Sequence, residues 1–195
     1  MRNKIFFFQT LITKILMKLQ GIKYGKNFHA YGIPLILKTR NSSIKIGDNV
    51  SIASTSFANL SGLAHRSIIF AKDGGVIEIG NGVGISGTIH CKKRIIIGNN
   101  VLVGANSVVM DHNGHPLDPI ARMKNLENLT EKGDIIIGDS AFIGYNSIIL
   151  GGTSIGKNTV IGAGSVVRGN FEDNLIVAGN PARPLRKINF QSKSG

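Results

Sequence analysis

The sequence contains one cysteine and no uncharged apolar run of about 18 residues. A single cysteine cannot form an internal disulfide, which fits a reducing, cytoplasmic compartment. The lack of a long apolar run excludes a conventional transmembrane helix. Because 42% of the 195 residues are hydrophobic, the chain can still bury a core, and an extensively disordered protein is excluded as well.

Acidic residues are missing from both ends of the chain. Residues 1–47 carry nine Lys or Arg and no acid. The segment after Asp173 carries four basic residues and no acid. The net charge of +12 therefore belongs to the two ends, which suit an anionic membrane surface or a phosphate-bearing ligand. No RNP-type motif, zinc-finger spacing or helix-turn-helix pattern is present, so no nucleic-acid partner is expected.

Glycine is abundant, at 25 residues, and it often follows the apolar residue of a sixfold repeat. Neither an amphipathic helix nor an alternating strand has a period of six, and twelve in-phase positions disfavour a β-sandwich with Gly-rich turns. Each hexad is expected to be a short strand and a tight turn, with Gly, Asn or Asp at the corner. Three hexads make one coil, and stacked coils share a core, so the repeat predicts an all-β solenoid. The in-phase positions are Ile79, Ile85, Cys91, Ile97, Val103 and Val109, then Ile137, Ile143, Ile149, Ile155, Ile161 and Val167.

The repeat is interrupted between Val109 and Ile137. The spacing is about ten residues longer than one coil, which predicts a looped-out insertion at about 110–134 that begins with the sequence DHNGHPLDP. Functional groups tend to lie on such insertions. Cys91 is in the inward phase, and we interpret it as a small buried hydrophobic residue rather than a nucleophile.

The chain is expected to divide into an N-terminal helical segment (1–28), a β-helix (29–172) and a basic C-terminal segment (173–195). In the first of these, one helical face carries Ile5, Phe8, Ile12, Ile15 and Leu19. This helix can cap the open end of the solenoid or contact a trimer neighbour, or it can lie on an anionic membrane. A cleaved signal peptide is disfavoured, because a lysine interrupts the apolar stretch and no small-residue cleavage site follows closely.

Three features together resemble a known family. They are the isoleucine hexads, the looped-out Gly114-His115-Pro116 with Arg122 seven residues after the histidine, and the closing sequence VAGNPAR at 177–183. In these features the chain is similar to the hexapeptide-repeat acetyltransferases. It is most similar to the sugar O-acetyltransferases of the maltose, galactoside, nodulation-factor and capsule or O-antigen type.

The resemblance covers about residues 40–190 and implies a left-handed parallel β-helix that assembles as a homotrimer, with active sites between subunits. It implies transfer of an acetyl group from acetyl-CoA to a sugar hydroxyl of a cell-surface glycan or its precursor, without a metal. Histidine suits the general-base role because imidazole titrates near neutral pH. The implied location is cytoplasmic, with the inner face of the cell membrane as a further possibility.

The resemblance also implies roles for individual residues. His115 holds the position of the general base, while His112 and Arg122 would contact substrate or support the loop. His112 as the base and Arg122 as a solvated side chain remain open. The acetyl-CoA contacts are implied at Tyr145, whose amide would face the thioester carbonyl, and at Gly144, Ala163, Ser165, Arg183 and Arg186. For the two arginines a solvated tail is the alternative.

Two departures from the family pattern concern substrate recognition. Relatives often have Trp where this chain has Phe142, and their acceptor-binding Asn falls on Ser86. A non-catalytic binding or scaffold solenoid, another acyl-CoA transferase and a γ-type carbonic anhydrase are the alternatives on the same fold. The last requires well-spaced ligand histidines, and the spacing of His112 and His115 does not match.

Overall fold

The computed structural model describes residues 2–189, beginning with helix α1 (Arg2–Leu19). A second, short helix is α2 (Pro119–Met123), and a 3-10 turn covers Glu127–Leu129. The strands are, in chain order, β1 Lys23–Tyr24, β2 His29–Tyr31, β3 Leu35–Lys38, β4 Ser43–Ile46, β5 Ser51–Ala53, β6 Ile68–Ala71, β7 Val76–Ile79, β8 Gly84–Ile85, β9 Thr88–Cys91, β10 Arg94–Ile97, β11 Leu102–Val103, β12 Val108–Met110, β13 Ile135–Ile137, β14 Phe142–Ile143, β15 Ile148–Leu150, β16 Thr153–Ile155, β17 Val160–Ile161, β18 Val166–Val167, β19 Asn170–Phe171, β20 Leu175–Gly179 and β21 Ala182–Lys187.

The chain visits three sheets in turn. Sheet 1 has the order β1-β4-β7-β10-β13-β16-β19, sheet 2 has β2-β5-β8-β11-β14-β17-β20-β21, and sheet 3 has β18-β15-β12-β9-β6-β3. All pairings are parallel except the closing β20–β21 hairpin. Within the described residues each strand from β4 to β20 therefore pairs with the strand three places before it, which fits the predicted β-helix of hexapeptide repeats.

The repeat positions form the core. All twelve in-phase residues are buried, from Ile79 to Val167. The register stacks them directly, with Ile79 beside Ile97 and Ile97 beside Ile137. The inward orientation that the sixfold period predicts is therefore confirmed, and so is the burial of Cys91.

The corner between sheets 1 and 2 shows why Asn and Gly recur. Asn100 and Asn158 have φ of 56° and Gly82 has 68°, the left-handed region that favours these residue types. Side-chain oxygens also join successive coils, as where Asn99 Oδ1 accepts from the main-chain N–H of Asn81 at 2.9 Å. Glycine is needed at Gly80 for another reason, because a Cβ there would lie 2.7 Å from a main-chain atom of Gly98.

The stacked strands continue beyond the expected 29–172 range at both ends. Helix α1 ends at Leu19, and β1 already pairs with β4. At the other end β20 pairs with β17, because Leu175 and Val177 continue the buried alternation. No helix among residues 2–189 combines the length and hydropathy needed to span a membrane.

Candidate active site

The insertion between β12 and β13 is anchored through Asp111, whose side chain is fully buried. Its carboxylate accepts main-chain hydrogen bonds from Lys92, Lys93 and Arg94, each at 2.8 Å. The Cys91 thiol donates to the same carboxylate at 3.1 Å. Burial and this negative neighbour raise the pKa of Cys91 well above its ordinary range, which disfavours the thiolate form that a nucleophile requires.

A charged cluster attaches the far part of the insertion to the preceding coil. The buried Lys92 ammonium lies 3.3 Å from Glu127 and 3.5 Å from the carbonyl oxygen of Gly114. Lys72 also donates to Glu127, at 3.2 Å. Hydrogen bonds from these two lysines lower the pKa of the exposed Glu127 carboxyl. The residue immediately before His115 is thereby tied to the solenoid.

His112 lies in the neck of the insertion and is buried. It forms a β-bridge with Lys132, and its Nδ1 accepts the main-chain N–H of Gly114 at 2.9 Å. An imidazole that accepts through Nδ1 carries its proton on Nε2 when neutral. Burial, followed by the nearby His90 and Lys92, lowers the pKa of His112 to about 4. His112 is therefore neutral at pH 7 with its acceptor nitrogen already occupied.

His90 is part of the same cluster, although it was assigned no role from the sequence. Its ring stacks on Phe70 with centroids 5.1 Å apart and meets the His112 ring edge to face at 4.5 Å. The Nε2 atoms of both histidines are buried without a hydrogen-bond partner among the described residues. Burial lowers the pKa of His90 as well. The register could have identified this neighbour, since His90 pairs with Met110 two residues before His112.

His115 lies on the outer part of the insertion and is exposed. Within residues 2–189 its imidazole makes no hydrogen bond, ion pair or ring contact, so both ring nitrogens are open to a ligand. Arg122 donates through Nη1 to the carbonyl oxygens of Pro116 and Leu117, at 3.0 and 2.9 Å. Asp118 begins α2 by accepting the N–H of Ala121 at 2.7 Å. The arginine thus holds the two carbonyls that follow His115.

A second group of expected site residues lies at the corner between sheets 2 and 3. The Ser86 carbonyl accepts the N–H of Asn106 at 2.9 Å, and the Asn106 amide donates to the Tyr145 hydroxyl at 3.0 Å. Tyr145 is half exposed, whereas Gly144 is buried. A Cβ on Gly144 would lie 2.6 Å from main-chain atoms of the next coil, which explains the glycine.

The remaining expected donor contacts continue from this corner toward the C-terminus. Ala163 is exposed, but the Ser165 hydroxyl is buried and donates to the Gly162 carbonyl at 2.6 Å. Arg183 and Arg186 are exposed on β21, and among the described residues neither pairs with an acid. Within residues 2–189 the hydrogen bonds of their guanidinium groups go to the carbonyl oxygens of Ala182, at 2.9 Å, and Lys187, at 3.3 Å.

A second looped-out segment, residues 54–67, lies between β5 and β6 and was not expected. Asn106 holds it, accepting from the N–H of Ala64 at 2.9 Å and donating to the Gly62 carbonyl at 3.0 Å. With sheet 2 this segment borders a groove of about 350 Å³ that includes Ser86 and Phe142. The repeat count did not include this segment because its twelve positions begin at Ile79, although the stacked residues Ile46 and Ile79 are 33 positions apart.

Within one chain the two groups of site residues do not meet. His112, His115 and Arg122 follow sheet 3, whereas Ser86 and Tyr145 precede it. A strand such as β9, four residues long, separates the corners by about 13 Å. Within residues 2–189 no hydrogen bond, ion pair or ring contact joins His115 to Tyr145.

Comparisons with known proteins agree with the repeat. Residues 134–169 match the family model described as bacterial transferase hexapeptide (six repeats), and residues 94–114 match a hexapeptide repeat of succinyl-transferase. The chain is 30% identical over 164 residues to the putative lipopolysaccharide biosynthesis O-acetyl transferase WbbJ of Escherichia coli (strain K12), covering 78% of this chain and 76% of that protein. It is 40% identical over 106 residues to the galactoside O-acetyltransferase of the same organism, over 54% of this chain but only 50% of that enzyme.

Solved structures share the fold at lower identity. A mutant of AntD, an N-acyltransferase from Bacillus cereus in complex with dTDP and coenzyme A, matches with a TM-score of 0.68 at 20% identity, over 90% of this chain and 89% of that one. The polySia-specific acetyltransferase NeuO matches with a TM-score of 0.61 at 21% identity, over 89% and 79% of the two chains. The chain belongs to the hexapeptide-repeat acyltransferases, and the resemblance noted in its sequence is confirmed.

Proposed function

We propose that this acyltransferase moves an acetyl group from acetyl-CoA to a hydroxyl of a sugar in a cell-surface glycan or its precursor, with His115 as general base. The observation that carries the proposal is the exposed, unpartnered imidazole of His115 on an insertion anchored at both ends. The names of WbbJ, the galactoside enzymes and NeuO support a sugar acceptor. The cytoplasm, where acetyl-CoA is made, is the proposed location.

The proposed reaction is the transfer of the acetyl group from the thioester to the acceptor hydroxyl, with His115 moving the proton. The acceptor hydroxyl gives its proton to His115 as its oxygen attacks the thioester carbonyl carbon. A main-chain N–H stabilises the oxyanion of the tetrahedral intermediate, and Tyr145 is the proposed donor. The carbon–sulfur bond then breaks, and the coenzyme A sulfur takes the proton from the imidazolium. No step requires a metal.

The surroundings of His112 support His115 as the base. The one nitrogen of neutral His112 that could accept a proton is used by Gly114, and its Nε2 is buried. A group with a pKa of about 4 is also a weak base at pH 7. His112 instead orients the turn that presents His115, since it binds the residue directly before it.

The exposed arginines of β21 fit a phosphorylated donor. Arg183 and Arg186 have no acidic partner among the described residues, so their guanidinium groups are free to pair with phosphate oxygens. We propose that they bind the coenzyme A phosphates while Ala163 and Ser165 line the pantetheine path. Because Ser165 is buried, its contribution there would be through the shape of the turn rather than its hydroxyl.

We further propose that the coils wind left-handed and that three copies form the active enzyme. The separation of His115 from Tyr145 by the width of sheet 3 supports a site completed by a neighbouring subunit. In a closed ring, the corner before sheet 3 of one copy can face the insertion of the next. Ser86 and the groove beside it would then contact the acceptor.

The test measures acetyl-CoA turnover with a panel of sugars and nucleotide sugars. Turnover is monitored through the release of the free thiol of coenzyme A. We expect acceptor-dependent release by the wild type and a loss of about 10²- to 10⁴-fold in turnover in His115→Ala, with acetyl-CoA still bound. His112→Asn is the control, since its side-chain oxygen can still accept from Gly114, and it should lose much less. Equal activity of His115→Ala and wild type would favour a scaffold role for the loop.

A further inference from the structure

Helix α1 packs on the first coil through polar side chains. The end strands β2 and β3 have no preceding coil to satisfy their main-chain groups, and α1 supplies partners instead. Thr10 accepts from and donates to the main chain of Ala30, at 3.0 and 3.1 Å. Gln9 accepts the N–H of Gly32 at 2.8 Å. Among large apolar side chains with described burial, only Met17 of the helix is fully buried against the core.

Because much of the inward face is polar, most apolar side chains of α1 remain exposed. The exceptions are Met17 and Phe6, whose ring packs edge-on against Tyr31 with centroids 5.1 Å apart. The outer face of the helix consists of large hydrophobic side chains that are each 42–79% exposed. They cover the length of the helix: Ile5, Phe7, Phe8, Leu11, Ile12, Ile15, Leu16 and Leu19. Covering the solenoid end therefore does not account for them, and a contiguous apolar surface of this kind marks an interaction site.

The charges beside the outer face indicate what it contacts. At 100° per residue, Lys4, Lys14 and Lys18 fall within one sector of about 80°. This sector overlaps the edge of the outer face that carries Phe7 and Leu11. Residues 1–47 contain no acid, so this part of the chain offers a second copy no carboxylate to pair with these lysines. Anionic lipid headgroups provide that charge, and acyl chains provide an apolar medium for the neighbouring side chains.

We propose that α1 lies in the plane of an anionic membrane surface, with its outer face in the headgroup region and its lysines on lipid phosphates. The helix would stay attached to the solenoid through its polar face, so binding requires no rearrangement of the first coil. This places the acyltransferase at a lipid surface and therefore favours an acceptor that is itself held at the membrane.

The test is cosedimentation of the full chain with vesicles containing phosphatidylglycerol and with vesicles of phosphatidylcholine alone. We expect binding to the anionic vesicles that weakens with salt, and little binding to the neutral ones. Each lysine near an anionic surface contributes about fivefold in affinity, so Lys4→Glu/Lys18→Glu should lose at least about 25-fold. Phe8→Ser/Ile15→Ser should also lose binding, because both residues are exposed and lie on the same side of the helix.

Matched controls distinguish this surface from general charge and hydrophobicity. Lys157→Glu changes an exposed lysine on a distant coil, and Leu60→Ser changes a side chain that is 92% exposed outside the helix. Both should bind as the wild type does. Failure of the wild type to bind anionic vesicles, or unchanged binding by both helix variants, overturns the proposal. Dissociation of an oligomer by Phe8→Ser/Ile15→Ser in sedimentation velocity, with no vesicle binding by the wild type, would assign the face to a second copy.

Discussion

At the scale of single residues, burial separates two histidines that lie three positions apart. His112 is enclosed by the insertion neck, His90 and Lys92, whereas His115 projects from the loop that His112 orients. The same residue type therefore has two different uses: a neutral hydrogen-bond acceptor that shapes a turn, and an open imidazole available to a substrate.

The lowered pKa of His112 predicts a dependence of stability on pH. The unfolded chain binds a proton at this residue below about pH 6.5, but the folded chain does so only near pH 4. The neutral His112 side chain therefore makes its full contribution to the free energy of unfolding above about pH 6.5, and this contribution is lost as the pH falls toward 4. Urea unfolding should show lower stability at pH 5 than at pH 7, and His112→Asn should show a smaller difference. An equal difference in the variant would place the titrating group elsewhere, with His90 the first candidate.

At the scale of elements, the insertion depends on the contacts of Asp111 with three main-chain N–H groups. In Asp111→Asn the amide must point its NH₂ at one or more of these donors and leave them unsatisfied. We expect a loss of about 2–4 kcal/mol in the free energy of unfolding, measured by urea denaturation. Asp118→Asn is the matched control, because Asn caps a helix as well as Asp does, and it should change stability by less than about 0.5 kcal/mol. Similar losses in both variants would contradict this assignment.

The β20–β21 hairpin is the second element with a separable role. Replacing both Arg183 and Arg186 by Ala should raise the Michaelis constant for acetyl-CoA more than it lowers turnover, since charge-assisted contacts to phosphate contribute roughly 1.5–3 kcal/mol each. The effect should shrink at high salt. Initial rates at varied acetyl-CoA concentrations provide the measurement. An unchanged Michaelis constant would mean that Arg183 and Arg186 are solvated side chains that do not bind the donor.

At the scale of the whole molecule, a site shared between copies predicts complementation. His115→Ala and the Arg183→Ala/Arg186→Ala variant should each have low activity alone at limiting acetyl-CoA. If the two proteins are co-expressed and assemble at random, about a quarter of all sites would combine intact residues from two neighbours. Recovery of activity toward that fraction is expected. No recovery in an oligomer shown to be mixed would mean that each subunit carries its own complete site.

Much of the fold could be predicted because its period is a local property. Each hexad places one β-branched residue inward, and the twelve positions from Ile79 to Val167 are buried as the spacing requires. The insertion was visible for the same reason, as a break in that count. The segment 54–67 was not predicted because it precedes Ile79, where the count of twelve repeat positions begins.

The sequence by itself determined the repeat, the place of the insertion and the family to which His115 and Arg122 point, since these depend only on residue types and spacing. The tertiary structure decided what stacking brings together: His90 against His112, Lys92 against Gly114, and the polar side of α1 against the open sheet edges. These contacts join residues 20 or more positions apart, or depend on main-chain groups that no side-chain pattern reveals. The orientation of α1 is set by the main-chain groups of the end strands β2 and β3 rather than by its own hydrophobic face. Main-chain groups at a sheet end are costly to leave without hydrogen-bond partners.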